Sequence, residues 1–242
     1  MKPKRIEILG VPVDCVTMES ALDAVDTMVA GARPQVIIAV NPEKVLLARK
    51  DPTLLARLRS AGLLIPDGIG IVLAARWHGL GKMRRVAGAD LMPAICERSV
   101  ARGYKVFLLG ARPEVNQRAV EVLRQRYPGL QIVGHQHGYL DDTAMPELVE
   151  RINASGAQIL FIAMGSPRQE LWMDSFLDKL DVRVCQGVGG TFDVISGYVK
   201  RAPALVHALH LEWLYRDLRP SRLKRIVPKL RFAVHALMHR AG

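Results

Sequence analysis

The sequence predicts an α/β fold: a mainly parallel sheet with helices on both faces, followed by a basic helical appendage. Three observations lead there. Apolar runs of strand length alternate with stretches of helical spacing over about 190 residues, the pattern of a sheet buried on both sides. Half of the 242 residues are hydrophobic but only 5% are aromatic, so a large core is available and must be aliphatic. Beyond residue 199 the alternation stops, and basic side chains crowd in among long aliphatics. A catalytic α/β domain over 1–199 and an appendage over 200–242 are therefore expected.

Residues 6–9 and 11–13 read as short strands about Gly10. Leu22, Val25, Met28 and Val29 give 18–30 helical spacing. Gln35–Val40 is an apolar run of buried-strand length, and Asn41-Pro42 then supplies an N-cap and a proline at the first helical position. Two helical pieces follow up to Ser60, the second restarted by Asp51-Pro52. A strand at 63–65 runs into Pro66-Asp67-Gly68, 69–78 is helical, and 79–85 is a glycine-containing basic loop. Helices over 89–102, 113–127, 143–153 and 168–180 then alternate with strands over 105–109, 131–136, 158–163 and 182–186. No internal repeat or low-complexity segment interrupts them. Past Lys200, 204–216 is amphipathic, Pro220 breaks it, Ser221 restarts a basic helix, and Pro228 breaks that in turn. In such Rossmann-like sheets ligands bind beyond the carboxyl ends of the strands, which singles out 39–41, 66–68, 110–113, 164–169 and 187–193.

Charge is unevenly spread. Residues 200–242 hold ten Lys or Arg against Glu212 and Asp217, so they carry +8 of the total of +11, and the first 199 residues carry only +3. Such a tail suits an anionic partner: lipid head groups, a diphosphate or nucleic acid. Aliphatic and aromatic side chains between the basic ones fit an interfacial helix, and a helical cap on the sheet edge fits the same pattern. No apolar stretch reaches transmembrane length and no signal-peptide pattern opens the chain, so the expected location is cytoplasmic, peripheral on the inner face of the membrane. The cysteines, Cys15, Cys96 and Cys185, are few, odd in number and far apart, as expected of buried thiols in a reducing compartment.

Individually the polar loops have bland as well as functional readings. Asp67, after a strand, can act as general base or merely cap a turn. Arg85, beyond the basic loop, can neutralise a leaving diphosphate or sit in solvent. Gly110-Ala111-Arg112-Pro113 offers a helix N-terminus to an anion, but with one glycine it is a weak nicotinamide signal. Gln169 can bond a sugar hydroxyl, although Ser166 and Glu170 lie near capping-box spacing. The cluster 187–193 lets backbone approach a nucleotide, with Asp193 an acceptor for ribose or base. His135 and His137 would share a strand face like metal ligands, but no third ligand lies close in sequence and no metal is assigned. A nicotinamide-dependent or nucleotide-sugar-modifying enzyme lacks its glycine fingerprint here, and a nucleic-acid-binding protein lacks any recognised motif.

The order of the segments is more specific than any one of them. NPEKV from Asn41, PDGIG from Pro66, RVAGAD from Arg85, GSPRQE from Gly165, GVGGTFD from Gly187, GYVKRAP from Gly197, EWLYR from Glu212 and PSR from Pro220 together resemble the WecG/TagA/CpsF glycosyltransferases, glycosyltransferase family 26. The resemblance covers nearly the whole chain. It implies transfer, with inversion and without metal, of a hexose-type sugar (N-acetylmannosamine, its uronic acid, or glucose) from a UDP-sugar to a polyprenyl-diphosphate-linked saccharide of a cell-surface polysaccharide. UDP-sugar is a co-substrate, and no resident cofactor is expected. Carried over by motif, Asp67 is the base, with Arg85 and Gln169 as active-site polar groups. Asn41, Gly110, Tyr139, Gly165, Gly189 and Asp193, with Arg216, Arg222 and Arg225 of the appendage, complete the expected substrate-binding set. Expected partners are the donor, the lipid-linked acceptor and an anionic membrane, not nucleic acid; a homo-oligomer stays open. Three departures stand out: Ala39 where many relatives have Thr, Ala111 where Gly is usual, and Gly190 where Ala is common.

Overall fold

A computed structural model of the protein describes residues 3–80, 83–200 and 231–236. Its elements are β1 Arg5–Ile8, β2 Val11–Asp14, α1 Met18–Val29, β3 Gln35–Val40, α2 Pro42–Ala48, α3 Pro52–Ser60, β4 Leu63–Pro66, α4 Ile69–Trp77 and α5 Gly88–Arg102. There follow β5 Lys105–Gly110, α6 Pro113–Arg126, β6 Gln131–Gln136, α7 Met145–Ala154, β7 Ile159–Ala163, α8 Arg168–Phe176, β8 Val184–Gly187 and α9 Thr191–Ile195. The α/β class is thus as expected. Six strands form one sheet in the order β4-β3-β8-β7-β5-β6, with β3–β8, β8–β7, β7–β5 and β5–β6 paired in parallel.

The first two strands stand apart from this sheet. They form an antiparallel hairpin of their own, Arg5 opposite Asp14 and Ile8 opposite Val11. Leu9 and Gly10 both take positive φ, 52° and 79°, as the tight turn between twisted strands requires.

The chain folds as two compact units. Of the described residues, the first holds 3–21, 38–80, 83–87 and 231–236. Within it the buried carboxylate of Asp14 pairs with Arg5 at 2.7 Å and accepts the Leu64 amide at 2.8 Å. Arg5 in turn donates to the carbonyls of Arg59 and Ala61, so the hairpin props β4 through polar bonds as well as apolar packing. Burying a carboxylate is tolerable here because cation and amide both satisfy it.

The second unit holds Leu22–Ile37 and Gly88–Lys200. One face of its strands packs Phe107, Leu109, Leu160, Ile162 and Cys185 against Leu148, Ile152, Trp172 and Met173 of α7 and α8. The alternate residues, Val106, Leu108, Ile159, Phe161 and Val184, are equally buried and face the side where α5 and α6 contact β5. Both faces are therefore covered, which explains the uninterrupted apolar strands. The connection from β5 runs outward to β6, whereas β6 leads back across to β7 and on to β8. The carboxyl ends of β5 and β7 flank this reversal, a topological switch point.

Most expected elements agree to within two or three residues. α9 is the exception: Thr191–Ile195 begins inside the cluster 187–193, read as a glycine turn, and runs two residues past it. The expected appendage falls outside the described residues except for Lys200 and a helical stretch at 231–236. No helix among the described residues is long and apolar enough to cross a membrane.

Candidate active site

In the first unit the loops after β3 and β4 lie together. Asn41 caps α2, its Oδ1 accepting the Lys44 amide at 2.8 Å, with Pro42 in the first turn, as its sequence neighbours dictate. The Asp67 amide donates to Val40 O at 2.8 Å, and the Val86 amide donates to Pro66 O at 3.0 Å. These two bonds set Asn41, Asp67 and Arg85 each one residue from a tie at the end of β4. Gly68 follows Asp67 with φ 120°, a conformation that favours glycine, and a Cβ there would stand 3.4 Å from Pro42 Cδ. Asp67 and Arg85 are both half-buried.

In the second unit four loops meet at the switch point. Gly110 (φ 119°) leaves no room for a side chain, since a Cβ would meet the backbone of Ala163 at the end of β7. Ala111 donates to Ala163 O at 2.7 Å and accepts the Gly138 amide at 2.9 Å, which brings the 137–140 loop alongside. Tyr139 and Tyr198 are both exposed there, and Arg112 Nη1 donates to the Tyr198 hydroxyl at 2.7 Å. A hydrogen bond with Tyr139 and the proximity of Tyr198 raise the Arg112 pKa above its usual value. Gly165, at φ 75°, accepts the Gln169 amide at 2.9 Å.

Gln169, expected to face a sugar, is buried, and its side chain holds protein. Oε1 accepts the Gly189 amide at 3.0 Å, and Nε2 lies 3.5 Å from Glu170 Oε1. A Cβ on Gly187 would come within 2.5 Å of that Nε2, so glycine is needed for the side chain to pass. The loop 187–190 is thus shaped by Gln169, and it delivers Asp193, half-buried, in the first turn of α9. The capping box does not form: Pro167 rather than Ser166 occupies the N-cap of α8, so Glu170 has no hydroxyl opposite it.

Sequence reasoning passed over Asn116. This buried side chain on α6 donates to Gly110 O at 2.9 Å and Gln136 O at 3.0 Å and pairs its Oδ1 with His135 Nδ1 at 2.8 Å, stapling the ends of β5 and β6. With both Asn116 amide hydrogens used, its oxygen must accept, so His135 carries its proton on Nδ1. Burial, and then Arg124 and Arg151, lower the His135 pKa. His137 instead accepts the Tyr139 amide, so the two histidines serve different partners. Among the described residues no group of three or more His, Cys, Asp or Glu could hold a metal. Burial pushes the thiols of Cys96 and Cys185 up to about 12, which leaves them inert at neutral pH.

A model of the Glycosyl transferase WecG/TagA/CpsF family matches residues 6–242. The chain belongs to this family. It is a glycosyltransferase, and both loop clusters carry segments that resemble the family's: PDGIG and the first half of RVAGAD in the first unit, GSPRQE and GVGGTFD in the second. Membership implies in general a nucleotide-sugar donor and a lipid-linked acceptor. Of the expected site residues of this WecG/TagA/CpsF chain, Arg216, Arg222 and Arg225 lie outside the described residues.

Proposed function

We propose that this glycosyltransferase inverts the anomeric centre of a hexose-type sugar as it moves it from UDP to a polyprenyl-diphosphate-linked saccharide. The sugar is N-acetylmannosamine, its uronic acid or glucose, and the product feeds cell-surface polysaccharide synthesis. The acceptor hydroxyl oxygen forms the new bond to the anomeric carbon while its proton passes to the Asp67 carboxylate. The old bond to the β-phosphate oxygen breaks, and UDP leaves with the electron pair. Arg85 and backbone amides offset the charge that builds on the diphosphate. Asn41 positions sugar through its free amide hydrogens, because its oxygen is committed to the α2 cap. Gly110, Tyr139, Gly165, Gly189 and Asp193 receive the nucleotide, with Gln169 shaping the loop rather than touching sugar. Arg216, Arg222 and Arg225 hold diphosphate, and neither metal nor cofactor takes part.

Asp67 carries this reading. Its backbone is tied at the end of a parallel strand, it is half-buried next to a Gly68 at φ 120°, and it lies in PDGIG, the segment to which the resemblance assigns the base. Asp67→Asn keeps shape and removes basicity. Turnover is expected to fall roughly 10²–10⁴-fold, with UDP affinity by calorimetry unchanged. Product mass from paired UDP-sugars and short-chain polyprenyl-diphosphate acceptors reads the reaction; wild-type turnover in the variant refutes the assignment.

A further inference from the structure

We infer that the outward stripe of α4, Leu73 and Trp77 with Arg76 beside them, docks on an anionic lipid bilayer. The inference rests on the reading that the acceptor is anchored in lipid.

Gly70, Leu73 and Trp77 recur at helical spacing and share one face of α4, while Ile71, Ala74 and Ala75 turn inward and are buried. Leu73 is 55% exposed and Trp77 67%, two large apolar side chains one turn apart in water. Arg76 is exposed next to them, and α4 carries no acid. His78, Lys82 and Arg84 follow in the chain. Tryptophan and leucine framed by arginine and lysine make up the composition that sits at head-group level: the ring buries its apolar body, and the cations meet lipid phosphates.

The other end of the stripe leads to the basic tail and to the base. Phe232, buried to 2% exposure, packs with Cε1 3.7 Å from where a Gly70 Cβ would stand. The helical stretch 231–236 is therefore seated at the start of the stripe, and its Val234 points out at 52% exposure. That stretch belongs to the segment that carries +8. Asp67 lies ten residues before Trp77, two of those steps extended and eight helical, so the two backbones are no more than about 20 Å apart. A head-group layer is only about 5–8 Å thick. With Trp77 in that layer, Asp67 at the start of the same segment stays within about 20 Å of it.

A second copy of the chain is the competing occupant, and the test separates the two. Wild type and the double variant Leu73→Ser/Trp77→Ser are sedimented with vesicles of phosphatidylcholine containing phosphatidylglycerol, and with phosphatidylcholine alone. The variant is expected to lose at least about tenfold in partition to the anionic vesicles, with its own sedimentation coefficient unchanged. It keeps wild-type transfer to a short-chain, water-soluble acceptor. Undiminished vesicle binding overturns the inference. So does a changed sedimentation coefficient with binding intact, which marks a contact between copies, or an equal loss of transfer to the soluble acceptor, which marks a structural role. Vesicle binding is read without any transfer, so a wrong sugar or a wrong base leaves this result standing. Asp67→Asn is expected to pellet like wild type.

Discussion

Ala111 holds a φ of 59° at the turn from β5 into α6, and its N–H and C=O tie that turn to Ala163 and Gly138. An alanine in the left-handed region is strained by about 1–2 kcal/mol, and glycine removes that strain at a backbone entropy cost of about 0.5–1 kcal/mol. Ala111→Gly is therefore expected to stabilise the protein by about 0.5–1 kcal/mol, read as a higher denaturant midpoint with an unchanged slope. The departure from the usual Gly-Gly was visible in the sequence, but its consequence was not, because φ is set by the two ties and not by neighbouring letters. Gln169 teaches the same lesson in reverse. Its place in GSPRQE marked it as important, yet its burial and its bond to the Gly189 amide depend on a loop twenty residues away. The buried thiols show where pH acts on single residues. Cys96 and Cys185 have folded pKa values raised from 9.0 to about 12. Their burial stabilises the fold fully below pH 9, and that contribution is lost as pH rises toward 12.

At the scale of elements, the joint between α6 and the sheet combines the buried Val115, Ala119, Val120 and Leu123 with the polar ties of one side chain, Asn116. Removing Asn116 leaves the carbonyls of Gly110 and Gln136 and the ring of His135 without their partner. Asn116→Ala is expected to cost about 2–4 kcal/mol in chemical denaturation, since each buried group left unsatisfied costs about 1–3 kcal/mol. An asparagine at the fourth position of a helix gives no sequence signal for this role. Helix starts were easier: Asn41-Pro42 and Asp51-Pro52 act locally, and both caps form as their residues dictate. α8 starts at Arg168 as expected, but the capping box does not form, because Glu170 stands three residues after Pro167 and four after Ser166. α9 was missed because five residues that follow a run of glycines are too few to show a periodicity. The pairing of β1 with β2 needs only the short Leu9-Gly10 turn, whereas its link to β4 comes through Asp14, fifty residues from Leu64.

At the scale of the whole molecule, charge and chemistry are segregated along the chain. If the basic tail adds to membrane attachment, truncation before Ala202 is expected to weaken binding to anionic vesicles, and raised salt to weaken binding of the intact protein, because exposed charges are screened within about 10 Å at 0.1 M salt. Vesicle co-sedimentation across a salt series reads both; binding that is indifferent to salt rules out the electrostatic part. The sequence by itself determined the α/β class, the strand and helix succession, the segregated basic tail and the family. These follow from local periodicity, local capping and composition, which each segment carries within itself. Only the tertiary structure decided that β1 and β2 leave the main sheet, that β5 and β7 flank the reversal of strand order, that Gln169 holds Gly189 and Asn116 staples two strand ends, and that Leu73 and Trp77 face outward. Each of these depends on which distant segments become neighbours. Pairing order and burial are properties of the packed chain, and no window of sequence contains them.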